Sequence, residues 1–165
     1  MEALRLFGIL LIAAAIFGGG LMASHAQGEP LRYAKAFSAL ITRLRGHIEY
    51  SRGELATLYA LCTGGETAPL EAAGFLADAS ELGWDAALEK LCRRVYINAD
   101  TRAALQEFGG MLGKTCVDEQ LRNCDRAVAR LDTIISAQTP EVAKQAKLWR
   151  TLGASAALAV AIILV

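Results

Sequence analysis

The chain has 165 residues, 54% of them hydrophobic and only 7% aromatic, which allows one domain with apolar appendages and excludes two full-sized domains. Seventeen basic residues balance seventeen acidic ones, so the composition lacks the uncompensated Lys and Arg that a nucleic-acid surface requires. No nucleic-acid partner is expected.

After Met1–Arg5 the chain is uncharged from Leu6 to Ser24, LFGILLIAAAIFGGGLMAS. As a helix these nineteen residues span about 28 Å, close to the ~30 Å hydrocarbon core of a bilayer. Residues 1–25 are therefore expected to form an N-terminal membrane anchor helix. The competing reading is a cleaved signal peptide, because Ser24 and Ala26 place small residues where a cut before Gln27 needs them. The lone Arg5 beside Glu2, and an apolar run longer than a usual signal core, favour the uncleaved anchor.

Gly28 and Glu29 should break the chain, and Pro30 suits the first turn of the next helix, where its missing N–H removes no bond. Ala34, Phe37, Ile41, Leu44, Ile48, Ser51, Leu55 and Leu58 then follow 3-4 spacing, which makes one long apolar stripe. The break TGGETAP, Thr63–Pro69, ends that helix. Pro69 opens a helix from Leu70 to Leu82, with Phe75 and Leu76 facing in and Gly83 as its C-terminal cap. A third pattern covers Trp84–Tyr96 through Ala87, Leu88, Leu91 and Val95. Asp100 is the expected N-cap of Thr101–Leu112, whose inner face carries Leu105, Phe108 and Leu112. Alternation of apolar and polar residues never persists, so no strand is predicted.

Val117, Leu121, Cys124, Val128, Leu131 and Ile135 form a second stripe in 4-3-4-3-4 spacing. Two such stripes near the ends of the central segment bury each other most simply as neighbouring helices. The predicted fold is all-α: an antiparallel helical bundle of about six helices, residues 26–147, between two transmembrane helices. Pro140 should either kink the last helix or let a new one restart with Thr139 as its N-cap. Beyond Lys144, Lys147 and Arg150 the chain is uncharged to Val165, and residues 148–165 are expected to form the C-terminal membrane anchor helix. Thr151–Val165 alone reaches about 22 Å; counted from Leu148, with Trp149 at the interface and Arg150 snorkelling, the span is about 27 Å. Arg32, Lys35, Arg43, Lys144, Lys147 and Arg150 on the central side outweigh Arg5 outside, which puts the centre in the cytoplasm.

Residues suited to chemistry are sparse. Cys62, Cys92, Cys116 and Cys124 form no C-x-x-C pair and, with only His25 and His47, no zinc-site spacing; reduced core residues are the preferred reading. The segment Gly109–Thr115, GGMLGKT, resembles a phosphate loop, but the required first glycine falls on Phe108 and no strand precedes it, so a helix-ending turn is expected. The acidic pairs Asp78 with Glu81 and Asp118 with Glu119 read as solvated helix faces or first-turn charges. No catalytic, cofactor-binding or metal-binding residue is assigned, no small-molecule substrate is expected, and the protein reads as a non-enzyme.

The run Phe108-Gly109, Leu112-Gly113, then Gln120, Leu131 and Asp132, then Lys147-Leu-Trp-Arg-Thr-Leu-Gly153 before an apolar terminus resembles the stage III sporulation protein AB family. Leu44, Ile48 and Tyr50 are similar to that family's L-x-x-E-I-x-Y pattern, with His47 where the family carries an acid and Cys116 where it carries Asp. The resemblance implies a two-anchor platform protein, similar to those of type II secretion and type IV pilus systems, with no enzymatic activity. Its implied partners are a lipid membrane, the stage III sporulation protein AA ATPase and other components of the sporulation channel complex. Its implied place is the outer forespore membrane, with the central domain in the mother-cell cytoplasm. The alternative from another class is a secreted, signal-peptide-bearing helical binding module with disulfides, marked by a mature N-terminus at Gln27.

Overall fold

The computed structural model describes residues 28–50 and 55–164. These form seven α-helices and one 3-10 turn, with no strand among the described residues: α1 (28–50), α2 (Leu55–Leu61), the 3-10 turn Gly65–Thr67, α3 (Ala68–Ala72), α4 (Phe75–Leu82), α5 (Trp84–Cys92), α6 (Ala99–Met111) and α7 (Val117–Leu164). The all-α class expected from the sequence is the one observed. The chain divides into a core unit, Pro30–Gln138, and a second unit of Met1–Glu29 and Thr139–Val165.

Within the core unit α1 and α7 run antiparallel. Ser38 Oγ donates to Asp132 Oδ1 at 3.0 Å, and Arg45 Nε donates to Asp125 Oδ1 at 2.6 Å. Seven residues forward along α1 (45 − 38) thus match seven residues backward along α7 (132 − 125), about two turns of each helix. Continued to the ends of the unit, this register brings the beginning of α1 near Pro30 opposite Gln138. The predicted stripe of α1 is buried, with Phe37, Ile41 and Leu44 fully enclosed, and Tyr33, Ala36 and Leu40 widen it. A helix that touches several neighbours must bury more than a two-residue seam. On α7, Cys124 and Leu131 are fully buried, whereas Val117 is 38% exposed; Gln120, Asn123 and Ala127 complete the buried face.

Several boundaries differ from expectation. Gly28 and Glu29 are helical, not a break. The stripe from Ala34 to Leu58 is divided between α1 and α2, and Ser51 lies outside the described residues. The helix expected from Leu70 to Leu82 is cut after Ala72, because Gly74 takes the left-handed conformation (φ 78) and turns the chain before Phe75. Gly83 does cap α4, at φ 82, and α5 starts directly after it and stops at Cys92, short of Tyr96. Asn98, not Asp100, caps α6: its Oδ1 accepts the Thr101 N–H at 2.8 Å. α7 passes through Pro140 without interruption, so no helix restarts at Thr139. The proline removes one N–H, and the residues around it are exposed, where water can take the freed Ser136 carbonyl.

The expected first anchor, residues 1–25, lies outside the described residues. Among the described residues no helix is long and apolar enough to cross a membrane. The expected second anchor, residues 148–165, is helical as far as Leu164, but its uncharged part from Thr151 rises only about 21 Å, short of a ~30 Å core.

Candidate functional site

The GGMLGKT segment is a helix end. Gly109 to Met111 complete α6, and Gly113, at φ 76, turns the chain toward α7. The Leu112 N–H bonds to Gly109 O at 3.1 Å and the Lys114 N–H to Met111 O at 3.3 Å, so these amides close the turn and do not cradle an anion. From α7, the buried amide of Gln120 donates to Met111 O at 2.9 Å and to Thr115 Oγ1 at 2.8 Å. Asn123, also buried, donates to Phe108 O at 3.0 Å. Side chains of α7 thereby satisfy the carbonyls that end α6, which a buried helix terminus requires. The Lys114 side chain takes no part in these bonds, and the residue is exposed. Lys114→Ala should therefore shift stability by no more than about 0.5 kcal/mol; a thermal melt in the presence and absence of ATP checks this, and a nucleotide-dependent stabilisation lost in the variant would contradict it.

The other residues singled out from the sequence do not converge. His25 lies outside the described residues, and His47 is half-buried on α1. Asp78 is not a solvated face residue: its side chain is 15% exposed and holds Lys90 Nζ at 2.5 Å and Arg94 Nη1 at 3.7 Å, which ties α4 to α5 and the turn after it. Glu119, in the first turn of α7, pairs with Arg122 and Arg126. All four cysteines are free thiols. Cys62 and Cys124 are buried, Cys92 is half-buried, and Cys116 is exposed, so the core reading holds for two of them. Burial pushes the Cys62 thiol up, and it raises Cys124 to about 11 with the Asp125 charge as a second cause. Among the described residues no group of three His, Cys, Asp or Glu could hold a metal.

Two residues that sequence reasoning passed over organise the domain. Trp84, the first residue of α5, stacks edge-on against Phe37 of α1, Phe75 of α4 and Phe108 of α6, at centroid distances of 5.9, 5.3 and 4.9 Å, and meets Tyr59 of α2 at 6.4 Å. Its indole N–H donates to Leu105 O at 2.9 Å, so one side chain joins five helices with its polar atom satisfied. Gly109 makes room for it: a Cβ there would fall within 3.0 Å of the Trp84 ring and of Asp85 Oδ1. Arg43, on α1, grips the loop after α2. Its Nη1 donates to Thr63 O at 3.0 Å, Gly64 O at 2.9 Å and Thr67 Oγ1 at 3.2 Å. The Thr67 hydroxyl, fully buried, donates in turn to Cys62 O at 2.7 Å. Gly64 and Gly65, at φ 75 and 62, let this loop turn its carbonyls toward the guanidinium.

Beside Arg43 the core unit opens into a groove of about 650 Å³, walled by α1, by the 3-10 turn with the start of α3, and by α7. Its volume falls in the range of ligand and peptide sites. Arg32, Lys35 and Arg43 line it together with Glu66 and Asp132, and Ala39, Pro69 and Ile135 supply apolar surface.

A family model for stage III sporulation protein AB matches residues 5–165, essentially the whole chain. The chain belongs to the stage III sporulation protein AB family. Its role accordingly lies in sporulation. No match was found among curated proteins or solved structures. In this stage III sporulation protein AB family member the residues that carried the resemblance have structural roles. Phe108 stacks on Trp84, Gly109 admits it, Gln120 closes the α6–α7 turn, Leu131 is fully buried, and Asp132 receives Ser38. Leu44 and Ile48 are core residues as well, whereas Tyr50 is 85% exposed. A tryptophan just after a glycine, with a second glycine on a later helix, was the available sign of the Trp84 hub; nothing in the sequence marked Arg43 or Asn123.

Proposed function

We propose that this protein is a non-enzymatic membrane scaffold, the platform component of a secretion-like complex at the mother cell/forespore membrane, whose helical domain contacts the stage III sporulation protein AA ATPase. One observation carries the reading: the antiparallel pairing of α1 with α7 brings the two ends of the core unit, Pro30 and Gln138, to the same side of the domain. Both flanking apolar segments of the sequence can then serve as anchors in one membrane. The described start of the second segment supports this, because Leu148, Trp149 and Leu152 are exposed on α7 next to Lys144 and Lys147. Apolar and aromatic side chains beside cations suit a bilayer interface. The excess of Lys and Arg on the central side supports a cytoplasmic domain, and the family's place in sporulation supports the mother-cell cytoplasm for that domain and the outer forespore membrane for the anchors.

The exposed thiol of Cys116 gives a direct test, since Cys62 and Cys124 are enclosed. A membrane-impermeant maleimide should leave Cys116 unlabelled in intact sporulating cells and label it after permeabilisation, and the AA ATPase should co-purify with the protein from the detergent-solubilised membranes. Labelling in intact cells would reverse the topology. A protein purified without the ATPase would remove the platform role.

A further inference from the structure

We infer that the groove between α1, the Gly65–Thr67 turn and α7 is a docking site for an acidic, amphipathic peptide segment of a partner protein. The inference goes beyond the platform reading and holds whichever partner presents the segment. Charge complementarity sets the chemistry. Lys35 is exposed and makes no ion pair among the described residues. Arg43 engages the Thr63–Thr67 loop through Nη1 alone, leaving Nη2 and Nε with no hydrogen bond among the described residues, and Nη2 lies 3.0 Å from where a Cβ on Gly65 would stand. The loop thus holds the guanidinium rigidly against the groove wall with donors to offer, a preorganised arrangement for a carboxylate.

The carboxylates of the groove decide between kinds of anion. Asp132 lines the groove with one oxygen held by Ser38 of α1, and Glu66 lines it from the loop that Arg43 grips. A compact, multiply charged anion such as phosphate would meet these carboxylates as well as the cations. A peptide can turn its acids to α1 and its apolar side chains to Ala39, Pro69 and Ile135. Lys35 and Arg43 are eight residues apart on one helix, about 12 Å. That distance equals about four residues of extended chain at ~3.3 Å each, so two acidic side chains four residues apart on one face of an extended segment would match it.

The test uses the full-length protein in detergent and a fluorescently labelled peptide, Glu-Leu-Glu-Leu-Glu, with Lys-Leu-Lys-Leu-Lys as its charge-reversed counterpart. The acidic peptide should bind, more weakly as salt is added, and the basic one should not. Lys35→Glu should weaken binding about tenfold or more by placing a like charge in the wall. Ala39→Trp, which fills the groove and changes no charge, should weaken it as strongly, and Arg93→Glu, just after α5, should leave it unchanged. Thermal melts confirm that each variant is folded. The inference is overturned if the acidic peptide does not bind, if the basic peptide binds as well, or if folded Lys35→Glu and Ala39→Trp proteins retain wild-type affinity. Complete displacement by excess inorganic phosphate would overturn it in favour of a small-anion site. Loss of ATPase co-purification alone bears only on the platform reading.

Discussion

Gly109→Ala should destabilise the helical domain by about 3 kcal/mol, although it adds a single methyl group and alanine favours helices. On an exposed helix the exchange would stabilise by up to about 1 kcal/mol. Here the new Cβ would lie within 3.0 Å of Trp84 Cδ1, Trp84 Nε1 and Asp85 Oδ1. The indole cannot retreat without breaking its bond to Leu105 O and its edge contacts with Phe37, Phe75 and Phe108. Thermal or urea unfolding followed by circular dichroism measures the loss. Trp84→Phe in the same background should recover part of it, because the smaller ring vacates the space nearest residue 109. A double variant whose destabilisation equals the sum of the two single ones would show that the pair is not coupled and would remove this account of Gly109.

Leu131→Asp should cost roughly 3 to 5 kcal/mol, enough to unfold a domain whose total stability is of the usual 5 to 15 kcal/mol. Leu131 is fully buried on the face of α7 that packs into the common core with α1, and the nearest helical turn in each direction presents the buried Ala127 or the partly buried Ile134 and Ile135. A carboxylate there would be enclosed among apolar core residues, so it removes apolar contact and carries a desolvation cost. Loss of the cooperative melt in Leu131→Asp, with Leu131→Met nearly as stable as the parent, is the expected pair of results. A folded Leu131→Asp protein would mean that the α1–α7 seam is not what holds the domain together.

The fold class and the two main seams were legible because they depend on periodicity alone. Phe37, Ile41, Leu44 and Leu131 recur at helical spacing, and every arrangement that hides such stripes from water must pair helices. Pro69 and Gly83 were legible for a similar reason, since a fixed φ and a missing Cβ act through the local backbone. Gly74 was the same kind of signal passed over, and it divided one expected helix into α3 and α4. Of the two outcomes expected at Pro140, the restart did not occur: the local penalty is real, but a long exposed helix can solvate the freed carbonyl and continue.

The sequence by itself determined that this protein is helical, that its two longest amphipathic segments bury their apolar faces, and that it belongs with the sporulation family whose residues it shares. Only the tertiary structure decided what the shared residues are for. Gly109, Gln120 and Asp132 are unremarkable within their own helices, and each acquires its role from a partner distant in sequence: Trp84, the end of α6, and Ser38. The groove beside Arg43 has the same origin, for its three walls come from segments as far apart as residues 32 and 135. Periodicity reports which face of a helix avoids water, a property of neighbours three and four residues away; the choice of partner for that face depends on packing shape and hydrogen-bond satisfaction across the whole chain, which no local pattern encodes.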